Sequence, residues 1–382
     1  MITNPFAVFA VLICIEALIL LLKKPLAKLY YYIPPLVWMY FVPMLLTTMG
    51  VLPGASIVYD YLNSYALPAA LLLIMLSSSI KGITRIGPQS VLAMLVGSLG
   101  IILGSILGYV IFKQYLPSDM WGALASLSAS WMGGSANMMG VFESFNTPPE
   151  HLSPVIIVDT VIAYVWLALL IYLAKHQRSI DSRNGVSSEL MSFLYGRADN
   201  VKEESGEQIT IKSLIALAFL AVIFVYLTTM ISKYMPTFEG ISSFVWVIVI
   251  ITAIGVALSF TRARELGGGS TTGYLLLYLF LVSVGAKSNL ADIGATPAVF
   301  GWGMVTLSVH IILLLLLIKL MKLPMFLFAS ASMANMGGTA SASVVAGVYN
   351  GSLVPIAVII SVLGYVVGTY GGLLVGIVCS AL

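Results

Sequence analysis

"SASWMGGSANMMG", residues 128–140, is a poor helix by propensity, because three glycines sit among serines and an asparagine. Each glycine costs ~1 kcal/mol in a helix relative to alanine. The stretch is embedded in a chain of apolar blocks, and something like it returns as "SMANMGGTASASVV" at 332–345. The two stretches either cross a membrane or dip in and return, and that choice decides the fold.

The surrounding chain belongs in a bilayer. Of its 382 residues, 60% are hydrophobic and 9% charged, with a mean hydropathy of +1.04. A soluble domain carries ~25% charged residues. Apolar runs of about 20 residues, the length that crosses a bilayer core as helix, recur from end to end. The crossing candidates are 4–22, 33–52, 66–82, 89–112 and 153–174, then 212–234, 241–260, 272–290, 298–318 and 354–378. Between the two sets, 175–212 carries Asp181, Arg183, Asn184, Glu203, Glu204 and Glu207 and reads as a linker with some surface helix. The first block lacks a basic n-region and a cleavage site, so it reads as a retained helix. Cys14 and Cys379 both lie inside apolar segments and provide neither a disulfide framework nor a metal site. Trp38, Trp121, Trp246 and Trp302, near segment ends, read as interface anchors.

The glycine stretches belong to a long internal repeat. "MGGSAN" at 132–137 aligns with "MGGTAS" at 336–341, and "SPVIIVDTVIAYV" at 153–165 with "VPIAVIISVLGYV" at 354–366. Upstream, "RIGPQSV" at 85–91 resembles "DIGATPAV" at 292–299. The chain therefore reads as two copies of one unit, 1–174 and 212–382, joined by a 175–211 linker.

Positive charge arbitrates the topology, because Lys and Arg concentrate in short cytoplasmic loops. If both stretches are re-entrant, at about 121–143 and 325–349, there are ten crossings and both termini lie outside. All of the 18 Lys and Arg except Lys113, Lys233 and Lys287 then fall on the inner side with the linker. Letting both stretches cross divides the basic residues far more evenly. With five crossings each, the two copies are inserted upside down, and the tips "GGSAN" and "GGTAS" approach near the midplane. The expected fold is an all-α polytopic membrane protein of two inverted five-helix repeats, each with a re-entrant hairpin or broken helix. Inverted repeats with discontinuous helices at the midplane recur in secondary transporters.

The tips supply the chemistry. Non-helical backbone at membrane depth survives only within protein or along a watery cavity. Helix ends there offer amides to an anion and carbonyls to a cation. Gly133, Gly134, Gly337 and Gly338 permit the break. Ser130, Ser135, Asn137, Asn335, Thr339 and Ser341 add oxygen ligands and hydrogen-bond donors. The competing reading, a small-residue face for helix packing, loses ground because the two stretches align in inverted copies. Asp159 lies six residues after Ser153, about 9 Å along a helix, and its counterpart is Ile360, so the repeat itself does not require it. Intramembrane carboxylates are costly and usually functional; Asn137, Asp159 and Thr339 form a candidate Na⁺ site. Glu143 and His310 are candidate coupling or proton groups, Glu16 a structural carboxylate, and Lys81 and Lys287 snorkelling residues at the interface. No phosphate loop, HExxH or GxSxG motif is present and there are only three histidines, which disfavours ATP drive and hydrolysis.

The paired "MGGSANMMG" and "NMGGTASASVV" stretches and the repeat around them resemble the uncharacterised YjcL-like membrane family of bacteria and plastids, over nearly the whole chain. That resemblance implies kinship with the superfamily of bile acid:sodium symporters, 2-hydroxycarboxylate transporters, glutamate:sodium symporters and cation/proton antiporters. The 2-hydroxycarboxylate carriers have Gly-Gly-x-Gly tips; here the tips are Gly133-Gly134-Ser135-Ala136 and Gly337-Gly338-Thr339-Ala340, without the fourth glycine. The antiporters' paired aspartates on one core helix have no match here; Asp159 stands alone. By that resemblance the hairpins and adjacent helices form a mobile transport domain, and the first helices of each repeat a dimerising scaffold.

The function expected is a Na⁺- or H⁺-coupled secondary transporter of a small organic solute, anionic or amino-acid-like, in the cytoplasmic (inner) membrane. It would be a homodimer with no cofactor beyond the coupling ion and no nucleic-acid partner. The alternatives are a non-transporting membrane sensor or assembly subunit with the same fold, and an intramembrane serine hydrolase.

Overall fold

The computed structural model describes residues 2–32, 35–78, 86–199, 208–236, 244–288, 296–350 and 353–382. Lys81 and Arg85, and the linker residues Lys202, Glu203, Glu204 and Glu207, lie outside the described residues. Every regular element among the described residues is helical. The first half comprises α1 (Pro5–Leu21), α2 (Ala27–Tyr32), α3 (Pro35–Thr48), α4 (Ile57–Tyr61), α5 (Leu67–Leu76), α6 (Pro88–Phe112), α7 (Trp121–Gly133), α8 (Ser135–Ser144) and α9 (Leu152–Ala174). The linker forms α10 (Gln177–Asn184) and α11 (Ser188–Asp199). The second half is α12 (Ile211–Ser232), α13 (Phe244–Ser259), α14 (Gly269–Lys287), α15 (Thr296–Leu320), α16 (Met325–Asn350) and α17 (Val354–Ser380). Seven spans are long and apolar enough to cross a membrane, and Pro5–Leu21, Val37–Thr48 and Phe244–Ser259 are shorter apolar helices. Together they correspond to the ten apolar segments of the sequence.

Local chemistry places the helix starts. Asn4 accepts from the Ala7 amide ahead of α1, Pro88 opens α6, and Thr210 and Ser213 form a reciprocal capping box on α12, each satisfying or removing a first-turn donor. One boundary differs from the sequence reading. The third apolar segment begins at Ile57 rather than 66, because a π-helical turn at Leu62–Ala66 joins α4 to α5. The polar residues Asp60 and Asn63 hide this start from a hydropathy scan, yet the turn carries Asn63 to Glu143, whose Oε2 accepts its amide at 2.7 Å.

Both small-residue stretches break at glycine. Gly134 separates α7 from α8 at φ 85°, ψ −178°, and Gly338 interrupts α16 at φ 66°, ψ −162°. These angles belong to a region that only glycine occupies without strain. The chain turns back at each break. Trp121, opening α7, stacks edge-on against Phe145, just past α8, with ring centroids 5.0 Å apart. The two ends of α16 likewise meet one place: the Met325 amide donates to Asp181 Oδ1 of α10 at 2.7 Å, and Tyr349 Oη donates to the Leu170 carbonyl near the end of α9 at 2.9 Å.

The 23-residue α9, about 34 Å long at 1.5 Å per residue, measures the two hairpins against each other. At its N-terminal end His151 Nε2 lies 2.8 Å from Asp119 Oδ1, immediately before α7. Further along, Asp159 meets Ser130 and Trp131 near the first tip. Beyond that, Trp166 Nε1 donates to Ser332 Oγ of α16 at 2.8 Å. The α7–α8 hairpin therefore opens toward one end of α9 and the α16 hairpin toward the other, with their tips in between.

Packing sorts the long helices into two groups. One holds α6, α7, α8, α9, α15, α16 and α17; the other holds α1, α3, α5, α12, α13 and α14. Within the first, glycines bring backbones together, as membrane helices do where apolar burial gives little drive. A Cβ on Gly104 would sit 2.8 Å from Thr306 Cα, and one on Gly108 would sit 2.8 Å from Trp302 Cδ1, so α6 and α15 run antiparallel. Trp302 is fully buried there and donates to the Ser105 carbonyl at 2.9 Å. This corrects its reading as an interface anchor: the glycine face of α6 leaves room for the indole inside the bundle. The α17 glycines Gly364, Gly368 and Gly372 seat α7 in the same way against Met132, Gly133 and Ala129.

Candidate functional site

The hairpin ends do not close on each other completely. A cavity of about 250 Å³ is lined by Ser130, Gly134 and Ser135 from the first hairpin and by Met333, Met336, Gly337 and Ser341 from the second. From α9 it is lined by Asp159, Thr160, Ala163, Tyr164 and Leu167, and from α3 of the other group by Val37. Its position follows from an asymmetry between the halves. Where α17 presents Gly364 and Gly368 and is filled by the backbone of α7, the aligned positions of α9 are Ala163 and Leu167. These side chains line the cavity beside Asp159.

Asp159 is the chemical focus. Its Oδ1 accepts from Trp131 Nε1 at 2.8 Å and its Oδ2 from Ser130 Oγ at 3.2 Å. Both donors are neutral, and among the described residues no cation pairs with this carboxylate. Trp131 is fully buried, with its ring 5.7 Å from that of Trp302, so the donor is rigidly aimed. Thr160, next along α9, donates its hydroxyl hydrogen to the Ile156 carbonyl at 2.8 Å.

The remaining candidates separate into two further clusters. Asn137 and Thr339, grouped with Asp159 in the sequence as a Na⁺ site, meet Tyr365 of α17 instead. Asn137 Nδ2 donates to the Tyr365 carbonyl at 2.7 Å, and Thr339 Oγ1 lies 2.7 Å from Tyr365 Oη. Tyr365 Oη is in turn 3.3 Å from Tyr274 Oη of α14, so this tip touches the second helix group. The hydroxyl-bearing residues that do stand with Asp159 at the cavity are Ser130, Ser135, Thr160, Tyr164 and Ser341. Gly133 packs against α17.

Asn335 and His310 face α6, away from the cavity. Asn335 Oδ1 accepts from Ser98 Oγ at 2.8 Å, and its amide donates to the Ala331 carbonyl at 2.9 Å. His310 Nδ1 is 2.8 Å from the Gly97 carbonyl and Nε2 is 2.8 Å from Ser332 Oγ. A carbonyl only accepts, so Nδ1 carries the hydrogen and Nε2 accepts from Ser332, which also takes the Trp166 indole hydrogen. Glu143 is bound to Asn63, and Glu16 is buried on α1 with Oε1 lacking a partner; neither lines the cavity.

Sequence reasoning missed Trp131, Trp166, Tyr365, Met333 and Met336. Only the tyrosine carried a signal: Tyr164 and Tyr365 align in "AYV" and "GYV", and each reaches a tip, Tyr164 at the cavity and Tyr365 at Thr339.

Residues 10–382 match the family described as protein of unknown function DUF819. The chain is 26% identical over 346 residues to the uncharacterized membrane protein YjcL of Bacillus subtilis (strain 168), covering 87% of this chain and 86% of that protein.

Proposed function

The chain belongs to the DUF819 family of proteins of unknown function, and we propose that it is a secondary active transporter of a small organic solute. The observation that carries this reading is a half-buried carboxylate, Asp159, facing a cavity bounded by two glycine-broken hairpins that open toward opposite ends of α9. Broken helices facing one another around a polar site are the arrangement by which carriers expose one site to each side in turn. An unpaired carboxylate within membrane-spanning helices is retained where an ion or substrate uses it.

On this reading the two halves are inverted repeats. The group of α6–α9 and α15–α17 is the moving core, and α1, α3, α5 and α12–α14 the scaffold, which dimerises and against which the core slides as an elevator. Na⁺ or H⁺ is the coupling ion, taken by Asp159 with the hydroxyls of Ser130, Ser135, Thr160 and Ser341. The linker α10–α11 lies on the cytoplasmic side of the inner membrane with the basic residues. The kinship with sodium symporters and cation/proton antiporters that the hairpin sequences imply supports the same view.

Purified protein reconstituted in liposomes tests the proposal. A panel of labelled small solutes is offered with Na⁺ and pH gradients imposed separately. Gradient-dependent accumulation of one solute, lost in Asp159→Asn, is the expected result. If no solute accumulates under either gradient, the chain is a sensor or assembly subunit and not a carrier.

A further inference from the structure

We infer that the cavity takes a solute bearing a primary ammonium group, which pairs with Asp159. The inference rests on the transporter reading and specifies its substrate class. It follows from which hydrogens around Asp159 are already committed. Ser130 spends its hydroxyl hydrogen on Asp159 Oδ2, Trp131 its indole hydrogen on Oδ1, and Thr160 its hydroxyl hydrogen on the Ile156 carbonyl. What Ser130 and Thr160 present to the cavity is therefore lone pairs, alongside the free lone pairs of the carboxylate. The carboxylate and these two hydroxyls thus form a patch of acceptors complementary to a group made of donors with positive charge.

Charge makes the same choice. Among the described residues lining the cavity no lysine, arginine or histidine occurs, and Asp159 is the one carboxylate. A carboxylate solute placed beside it would meet a like charge, with no side-chain cation among the described lining residues to offset it. The other walls are Val37, Ala163, Leu167, Met333 and Met336, an apolar surface suited to a short alkyl portion, with the Tyr164 ring beside it. The volume is about 250 Å³. That space exceeds an inorganic cation alone and suits a solute of modest size.

The test is ligand-dependent thermal stability of the full-length protein in nanodiscs in sodium-free buffer. Methylammonium, ethanolamine and glycine are compared with choline, acetate, lactate and citrate. Primary amines should raise the unfolding temperature saturably, choline less because it lacks N–H donors, and the carboxylates without an amine not at all. NaCl should compete, moving the amine midpoint upward. Asp159→Asn should weaken the amine effect about tenfold or more, the size of one lost charge-assisted contact, and Asp159→Glu should retain part of it.

Stabilisation by carboxylates but not amines overturns the inference, as does an amine effect that survives Asp159→Asn, or stabilisation by Na⁺ with none by any primary amine. Should Asp159→Asn not fold, the wild-type competition decides: an amine midpoint indifferent to NaCl counts against a shared site. An amine that binds but is not accumulated in liposomes would instead remove the transporter reading and leave the ligand class standing.

Discussion

Trp131 Nε1 donates to Asp159 Oδ1 at 2.8 Å, tying the tip of the first hairpin to the membrane-spanning helix behind it. The contact fixes the carboxylate toward the cavity while leaving its charge without a counterion among the described residues. Trp131→Phe keeps the ring packing against Trp302 and removes the donor. Hydrogen bonds to charged groups contribute about 1.5–3 kcal/mol to folding, so the variant should melt lower, and solute affinity should fall because the carboxylate is no longer held toward the cavity. Isothermal titration of the accepted solute reads this; an unchanged affinity would mean the indole does not position Asp159.

The two breaks require glycine for backbone reasons alone. A Cβ on Gly338 meets nothing within 4 Å, so Gly338→Ala introduces no clash, yet its φ of 66° with ψ of −162° costs a substituted residue about 1–3 kcal/mol. Gly185→Ala, at an ordinary left-handed helix end with φ 70° and ψ 37°, should cost about 1 kcal/mol. Transport assays and melting curves should show Gly338→Ala losing uptake while Gly185→Ala retains it. Equal behaviour of the two would mean that the hairpin break is not part of the working site.

His310 holds α15, α6 and α16 together through Gly97 and Ser332 and does not border the cavity. His310→Leu should therefore lower stability by about 1–3 kcal/mol, the cost of leaving buried partners unsatisfied. The Na⁺ and pH dependence of uptake by the surviving protein should match wild type. A changed ion dependence would return His310 to the coupling machinery.

On the linker, burial raises the Asp181 carboxyl above its ordinary range, with the Met325 amide and the Gln177 side chain pulling it back. A carboxyl raised in the folded state binds its proton more tightly there than when unfolded. Its contribution to stability is thus greatest at low pH and falls as pH rises through the folded value. Asp181→Asn should remove that slope from the pH dependence of unfolding while keeping an acceptor for Met325. Asp181→Ala should remove the same slope and be about 1 kcal/mol less stable than Asp181→Asn through the lost cap. Melting curves of both variants across pH 4–8 check the sign.

Much of the architecture was legible in the sequence because apolar run length and glycine are strong signals in lipid. The ten segments and the break at each Gly-Gly pair could be read directly, whereas the start of α4–α5 could not, since the partner of Asn63 there is Glu143, in a helix distant in sequence. The chemistry of the site divides similarly. Asp159 stood out because a charge inside a membrane span has few innocent explanations, and its separation from Asn137 and Thr339 depends on α17 inserting Tyr365 between the tips. Trp131 and Trp302 were invisible as polar partners, since a tryptophan in an apolar block looks the same whether it anchors at an interface or donates in a core.

The claim that the cavity is an alternating-access site is tested most directly at Ser341, which lines it from the second hairpin. In a background with Cys14 and Cys379 replaced by serine, Ser341→Cys would be labelled in sealed vesicles of either orientation with a membrane-impermeant thiol reagent. The account predicts labelling from both sides, slowed by the transported solute in each case. Labelling from one side only, under every ion and solute condition, would contradict it.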